Sequence, residues 1–239
     1  MKPIIPTQHG AWAMLFIPFI IGIAAGSPTL YHLPLLLAWL FVYLGTYPLL
    51  MYIKQRRKKH LLQWALTYFV AALIFGSISL MHEWRIVYAA VIMLPLFLVN
   101  VCFAITKNER ALLNDIAAII TFSSGGMMSY YFGTGILNQT AWWIFTLCFC
   151  YFVGSTFYVK TMLREKHNPI YRIVSWGYHA LLIIGMIMLS PALAIAFVPS
   201  LVRAILFYGK NMPVLKVGTL EIANSVYFFF VILLMVNKL

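Results

Sequence analysis

The sequence predicts an all-α fold: a polytopic transmembrane helical bundle of about nine spans that forms one integral membrane domain over residues 1–239. Of the 239 residues, 63% are hydrophobic and 9% are charged, whereas soluble domains usually carry about 25% charged residues. The mean hydropathy of +0.91 points to the same class. In addition, Lys and Arg concentrate in alternate gaps between the apolar runs, which is the positive-inside pattern of multi-pass membrane proteins.

Four apolar runs in the first half of the chain are each near the length of about 20 residues that a helix needs to cross a bilayer. They predict spans over residues 10–26, 33–53, 61–81 and 85–105. The gaps that end them are Ser27-Pro28-Thr29, Lys54 to Lys59, His82 to Arg85, and Lys107 to Arg110. Polar, charged and Pro residues of this kind mark helix boundaries.

Five further spans are predicted over residues 111–132, 140–159, 171–189, 191–208 and 219–237. The gaps between them are Thr134-Gly135-Ile136, Lys160 to Arg172, Ser190-Pro191, and Arg203 to Lys216. Only a few residues join the seventh and eighth spans, so a re-entrant pair is the alternative there. Pro199 is expected to break the eighth helix and to free backbone carbonyls near Arg203.

The distribution of Lys and Arg predicts a cytoplasmic N-terminus and an outer C-terminus in a bacterial cell membrane. With that orientation, 15 of the 17 basic residues face the cytoplasm, and Arg85 and Lys238 face outward. The net charge of +12 is explained by these loops and the bilayer they face, so no nucleic-acid partner is expected. Cys102, Cys148 and Cys150 all lie in apolar runs, which predicts neither a disulfide nor a metal site, and no cofactor is predicted.

Polar residues within apolar spans are costly in lipid and therefore mark candidate sites or interhelical contacts. The fifth span opens with Asn108, Asn114 and Asp115, and Asp115 lies about one turn inside the helix. One interpretation gives Asp115 a substrate or proton role. The alternative pairs it with a basic neighbour such as Arg110 or Arg172, simply to tie helices together.

Further polar residues occur in the other spans at their predicted cytoplasmic ends. Tyr178 belongs to a polar stripe on the seventh span that is equally typical of an interfacial aromatic belt. Glu221 is either a site residue or the ion-pair partner of Arg203. Together these residues predict a polar, net positive cavity open to the cytoplasm and suited to an anionic ligand. The candidate ligand-binding residues are Gln8, His9, Asn108, Asn114, Asp115, Lys160, Arg164, Arg172, Tyr178 and Glu221.

Two segments resemble the YwiC-like family of bacterial membrane proteins. They are the start from Ile4 to Met14, which contains Gln8-His9-Gly10-Ala11-Trp12, and the segment from Asn108 to Asp115. The resemblance extends over essentially the whole chain and implies no particular chemistry.

A more distant similarity is to the nine-helix scaffold of UbiA-type prenyltransferases, whose active-site loops follow the second and sixth spans. The corresponding segments here are Lys54 to Lys59 and Lys160 to Glu165, and they contain no Asp. Because Mg²⁺-diphosphate binding needs such carboxylates, the resemblance implies the scaffold without the usual metal-dependent reaction. If the protein is an enzyme, it is an atypical one.

Three functions fit these observations. The first is binding or processing of an amphipathic, isoprenoid- or lipid-like anionic molecule in a cytoplasm-facing cavity. The second is transport or export of a small anionic solute, although the very apolar outer halves of the spans argue against a continuous polar path. The third is an accessory subunit that contacts a membrane-protein partner through faces of small residues such as Gly125-Gly126.

Overall fold

The structure, a computed structural model, describes residues 3–6, 9–55, 58–166 and 168–236. Within these ranges the chain forms nine α-helices and no β-strand. The helices are α1 His9–Ala25, α2 His32–Lys54, α3 Lys59–His82, α4 Ile86–Ile105, α5 Leu112–Thr134, α6 Gln139–Leu163, α7 Pro169–Leu189, α8 Pro191–Leu206 and α9 Val214–Met235. The predicted all-α fold is confirmed, and each predicted span corresponds to one helix.

Six of the described helices are long and apolar enough to cross a membrane: α2, α3, α4, α6, α7 and α9. The shorter apolar helices are α1 and α8. The remaining helix, α5, carries a run of small and polar residues from Thr121 to Ser129, and much of this run is buried against other helices. The protein is therefore a helical membrane protein, while nine crossings and the orientation of the termini stay predictions.

Two helix boundaries differ from the sequence-based expectation by four or more residues. The sixth helix extends to Leu163, beyond the predicted end at 159, and the ninth begins at Val214 instead of 219. Lys160 and Lys216 therefore lie inside helices. Lys160 is tolerated there because its ammonium group has partners from α5 and the residues before it.

The loops rich in Lys and Arg lie at one end of the bundle, called here the basic end. Lys54 at the end of α2 pairs with Glu109 in the loop before α5, at 2.8 Å. Lys166, after α6, donates to Asn211, before α9, at 3.4 Å. These contacts bring together the loops that the charge pattern assigns to the same side of the membrane.

The core forms where α1, α5, α6, α8 and α9 meet, with α7 beside them. At the α1–α5 crossing, small residues let the two backbones touch: a Cβ on Gly126 would lie 2.6 Å from the carbonyl oxygen of Pro18. The α2–α3 hairpin and α4 lie outside this core. Most of the surface of α4 is consequently exposed, as expected for a helix that faces lipid.

The expected break at Pro199 is wrong, because α8 continues through this residue from Pro191 to Leu206. Proline has no N–H, so it cannot donate to the carbonyl of Ile195 one turn earlier. The hydroxyl of Tyr227 on α9 donates to that carbonyl at 3.1 Å instead. This contact from the neighbouring helix supplies the missing hydrogen bond and keeps α8 continuous.

Candidate functional site

The first polar cluster at the basic end is centred on Lys160. Its ammonium group lies 2.9 Å from the carboxylate of Asp115 and donates to the carbonyl of Arg110 at 2.8 Å. The Lys160 side chain is 6% exposed, whereas that of Asp115 is 27% exposed. Asp115 therefore has a basic partner, as one interpretation of the sequence expected, but the partner is Lys160 rather than Arg110 or Arg172.

A second cluster joins the end of α2 to the start of α5. The ammonium of Lys54 contacts both carboxylate oxygens of Glu109, at 2.8 and 2.9 Å. Asn114 donates from its amide to the carbonyl of Glu109 at 2.8 Å. The amide oxygen of Asn114 is buried and has no hydrogen-bond partner among the described residues. The exposed ammonium of Lys54 and the buried amide oxygen of Asn114, which accepts no hydrogen bond from the described residues, thus lie near the start of α5.

Three other predicted residues have separate surroundings. Arg164 lines a shallow, open depression of about 430 Å³ together with Leu163, Glu165, Lys166 and Asn168. The guanidinium of Arg172 lies 5.6 Å from the ring centre of Trp176 and 5.5 Å from that of Tyr208. The hydroxyl of Tyr178 donates to the carbonyl of Cys150 at 2.9 Å. Arg172 and Tyr178 are thereby engaged in contacts that position α7.

A third polar cluster is buried deeper in the bundle, between α6, α8 and α9. Arg203 forms a buried ion pair with Glu221, and Ser155 also donates a hydrogen bond to Glu221. The ring of Tyr158 covers the guanidinium, with its centre 4.4 Å from Cζ of Arg203. The predicted alternative, in which Glu221 pairs with Arg203, is confirmed.

The polar contacts continue one turn further from the basic end and then stop. The amide of Asn224 donates to the hydroxyls of Tyr151 and Ser200, at 2.7 and 2.9 Å. Tyr151 also exchanges a hydrogen bond with Ser225 at 3.1 Å. Below this level the buried side chains of α6, α8 and α9 are apolar, beginning with Phe197 and Phe228. The buried cluster therefore reaches into the membrane from the basic end only.

The second cavity lies outside the core, between α2, α3, α4 and α5, and is called here the α2–α5 groove. Its volume is about 460 Å³, within the usual range for small-molecule sites. Among the residues that line it none is charged. The largest side chains in its wall are Phe19, Trp39, Tyr43, Phe69, Met93, Phe97, Phe122 and Met128. Such a lining suits a hydrocarbon chain.

Polar groups line both ends of the groove. Thr46, Asn100 and Thr121 lie toward the basic end, called here the inner end of the groove, and Ser79 and Ser129 lie toward the other end. The buried hydroxyl of Tyr43 has no partner among the described residues. On α5, Asn114, Ala118 and Thr121 share one helix face because they are four and three residues apart. The face of α5 that lines the groove therefore continues to Asn114 at the basic end.

The ten predicted site residues thus fall into several groups instead of lining one common cavity. The basic end brings together Asn114, Asp115 and Lys160, with Arg164 near enough to add positive charge at Asp115. Glu221 belongs to the buried cluster. Asn108 is exposed in the loop before α5. Gln8 and the side chain of His9 lie outside the described residues.

Sequence reasoning missed the α2–α5 groove, since its lining residues look like ordinary lipid-facing or core positions. The available signal was the pattern of small residues, Ala89, Ala90 and Gly125, opposite large aromatic ones. Small side chains at such positions leave space between helices, but they are as typical of close helix packing.

Comparison with known proteins places this architecture in a family. The family model described as YwiC-like protein matches residues 5–130. A relative in Bacillus subtilis (strain 168), named uncharacterized protein YwiC, is 43% identical over 239 residues, which is 100% of both chains. The chain belongs to the YwiC-like family. The resemblance noted in the sequence is thereby confirmed.

A second relative, from Haemophilus influenzae (strain ATCC 51907 / DSM 11121 / KW20 / Rd) and named uncharacterized protein, is 39% identical over 98% of each chain. No solved structure matches the chain. The similarity to the UbiA-type scaffold therefore stays a prediction. The segment matched by the YwiC-like family model contains α1 to α4 and most of α5, and hence the whole α2–α5 groove.

Proposed function

We propose that this YwiC-like protein binds an amphipathic, lipid-like molecule with an anionic head group in the cell membrane. The hydrocarbon chain would lie in the α2–α5 groove, and the head group would lie at the basic end beside Lys54 and Asn114. The groove carries the proposal, since it combines an apolar wall, a position between peripheral helices and an inner end directed toward basic residues.

The dimensions of the groove suit a chain-like ligand. Its lining extends along α2 from Leu35 to Thr46 and along α4 from Ile86 to Asn100. At 1.5 Å per helical residue these segments are about 17 and 21 Å long. A long, narrow space of 460 Å³ without a charged wall favours an isoprenoid-like or acyl chain over a compact polar solute.

The head group would lie just beyond the groove. Asn114 is one turn of α5, about 6 Å, past the lining residue Ala118. Lys54 is eight residues, about 12 Å, past the lining residue Thr46 on α2. The Lys54 side chain is 39% exposed, and its ammonium group can turn from Glu109 to a phosphate or carboxylate, because an exposed ion pair is weak.

The decisive experiment is native mass spectrometry of the purified protein, followed by identification of released lipids. Ala90→Phe places a large ring in the groove, whereas Val91→Phe places the same ring on the adjacent residue, which is 62% exposed and does not line the groove. We expect wild type and Val91→Phe to retain an anionic lipid-like molecule and Ala90→Phe to lose it. A ligand-free wild type would overturn the proposal in favour of a solute exporter or an accessory subunit.

The contribution of the head group is tested separately. Lys54→Gln should reduce retention of the bound molecule, whereas Glu109→Gln, which frees Lys54 from its partner, should leave retention unchanged or increase it. Lys59→Gln on the exposed start of α3 serves as a control for simple loss of positive charge. Equal losses in all three variants would contradict a specific role for Lys54.

A further inference from the structure

One edge of a buried guanidinium is unused. Arg203 is 5% exposed, and its Nη1 group binds Glu221. Its Nε and Nη2 groups are buried and have no hydrogen-bond partner among the described residues. These two nitrogens lie side by side along one edge of the planar guanidinium. Their two parallel N–H groups match the two oxygens of a carboxylate or a similar oxyanion.

Further buried polar atoms without a partner in the described part of the chain occur on the helices next to α8. The ring of Tyr158 lies over the guanidinium, and its hydroxyl is buried without a partner among the described residues. The same is true of the Ser175 hydroxyl and of Nε2 of His179, one turn apart on α7. A Cβ on Gly154, one turn before Tyr158, would lie 3.0 Å from that Nε2, so His179 faces the same side of α6.

Unsatisfied buried polar groups are costly, and charged ones are more costly than neutral ones. Several such groups occur here on the adjacent helices α6, α7 and α8. A ligand that accepts hydrogen bonds from Arg203 and Tyr158 would remove much of this cost. Glu221 binds Nη1 of Arg203 and accepts a hydrogen bond from Ser155, so the ion pair leaves the Nε–Nη2 edge available.

Apolar side chains enclose the cluster on both sides. Toward the basic end, Met162, Ala204 and Val217 are buried with Tyr158, and Trp176, Phe207 and Met212 pack against them. On the other side lie Phe197 and Phe228. Hydrogen bonds to charged groups are stronger when water is excluded. The enclosure also restricts the ligand to a few non-hydrogen atoms and requires the apolar layer at the basic end to open for entry.

We propose that the Nε–Nη2 edge of Arg203 and the hydroxyl of Tyr158 form a buried binding site for a small carboxylate-type oxyanion. This site is separate from the α2–α5 groove and does not depend on its function. Its ligand needs two oxygens in one plane, which distinguishes it from a spherical anion of the same charge.

The experiment measures thermal unfolding of the detergent-purified protein at a fixed pH in increasing sodium formate or sodium chloride at matched ionic strength. Formate presents two coplanar oxygens, and chloride presents a single spherical charge. Ligands that bind only the folded state raise the melting temperature in a saturable way. We expect formate to give such a rise beyond that in chloride. Identical curves for the two salts would overturn the proposal.

Two tyrosines on α6 provide a matched pair of variants. Tyr158→Phe removes an unused hydroxyl, whereas Tyr151→Phe removes one that already binds Ser225 and Asn224. We expect Tyr158→Phe to lose most of the formate-specific shift and Tyr151→Phe to keep it, even though Tyr151→Phe starts from a lower melting temperature. A full shift in Tyr158→Phe would contradict the assigned site.

Arg203→Lys is the second variant, since it keeps the charge beside Glu221 but lacks the two-nitrogen edge. It should lose the formate-specific shift while still unfolding cooperatively. Should Arg203→Lys fail to fold, Tyr158→Phe alone decides the outcome. Retention of the shift in a folded Arg203→Lys protein would show that formate binds elsewhere and would overturn the proposal.

Discussion

Arg203 on α8 and Glu221 on α9 form an ion pair that is 95% buried at the level where the polar side of the bundle meets its apolar core. Charged residues inside a membrane domain are expensive and normally pair with one another or mark a functional site. Here the pair ties together α8 and α9, and Ser155 extends the contact to α6. The ion pair therefore holds helices together through Nη1 of Arg203, while the Nε–Nη2 edge of the same guanidinium, unpartnered among the described residues, remains free for binding.

Replacing one residue of this ion pair should lower the stability of the protein much more than replacing both. Glu221→Gln leaves the guanidinium buried without a counter-charge, and loss of one partner of a buried pair typically costs about 3–5 kcal/mol. The double variant Arg203→Met, Glu221→Leu removes both charges and should recover much of that loss. Thermal unfolding of the single and double variants in detergent checks this, and a double variant no more stable than Glu221→Gln would contradict it.

The two ion pairs at the basic end should differ in their importance for stability. Asp115→Asn leaves the buried ammonium of Lys160 without its carboxylate and should destabilise the protein by about 1–3 kcal/mol. Glu109→Gln removes an equivalent charge from a pair whose side chains are 39% and 38% exposed, so its cost should stay below about 1 kcal/mol. Chemical denaturation of both variants gives the comparison. Equal losses of stability in the two variants would mean that burial of Lys160 does not determine the cost of losing its carboxylate partner.

The contact between α1 and α5 should not tolerate even a methyl group. Gly126→Ala would place a Cβ 2.6 Å from a backbone carbonyl oxygen of Pro18, which cannot move without shifting α1. Overpacking of this kind costs about 1–3 kcal/mol. Gly185→Ala on α7 is the control, because a Cβ there meets nothing within 4 Å and alanine favours the helix by up to about 1 kcal/mol. A Gly126→Ala protein as stable as wild type would refute the close approach of the two backbones.

The predicted orientation can be tested by labelling single introduced cysteines with a membrane-impermeant maleimide. With a cytoplasmic N-terminus, Ile136→Cys and Ser190→Cys should react in intact cells, and Lys58→Cys only after permeabilisation. Wild type controls for the native cysteines. The reverse pattern would invert the orientation. A Ser190→Cys that stays unlabelled beside a labelled Ile136→Cys would indicate that α7 and α8 form a re-entrant pair.

The sequence alone determined the fold class, the number of helices and the grouping of the basic loops. These follow from the lengths of the apolar runs and from the charges of the loops between them. Both are local properties of the sequence, and they determine the topology because a bilayer requires apolar helices of a set length and favours positive loops on one side. The Lys54–Glu109 pair and the contact between Lys166 and Asn211 confirm that loops far apart in sequence share one end. Family membership was likewise visible in the residues at the start of α1 and α5.

Only the tertiary structure decided which polar residues meet. From the sequence, several basic residues were possible partners for Asp115, and the packing of α5 against α6 brings Lys160 to it. The α2–α5 groove depends on the distance between helices whose outward faces resemble lipid-exposed surface. Because apolar side chains suit lipid, a protein core and a ligand cavity equally well, hydropathy cannot separate the three. Where the helices leave space is set by the shapes of side chains on different helices, and the linear pattern does not contain that information.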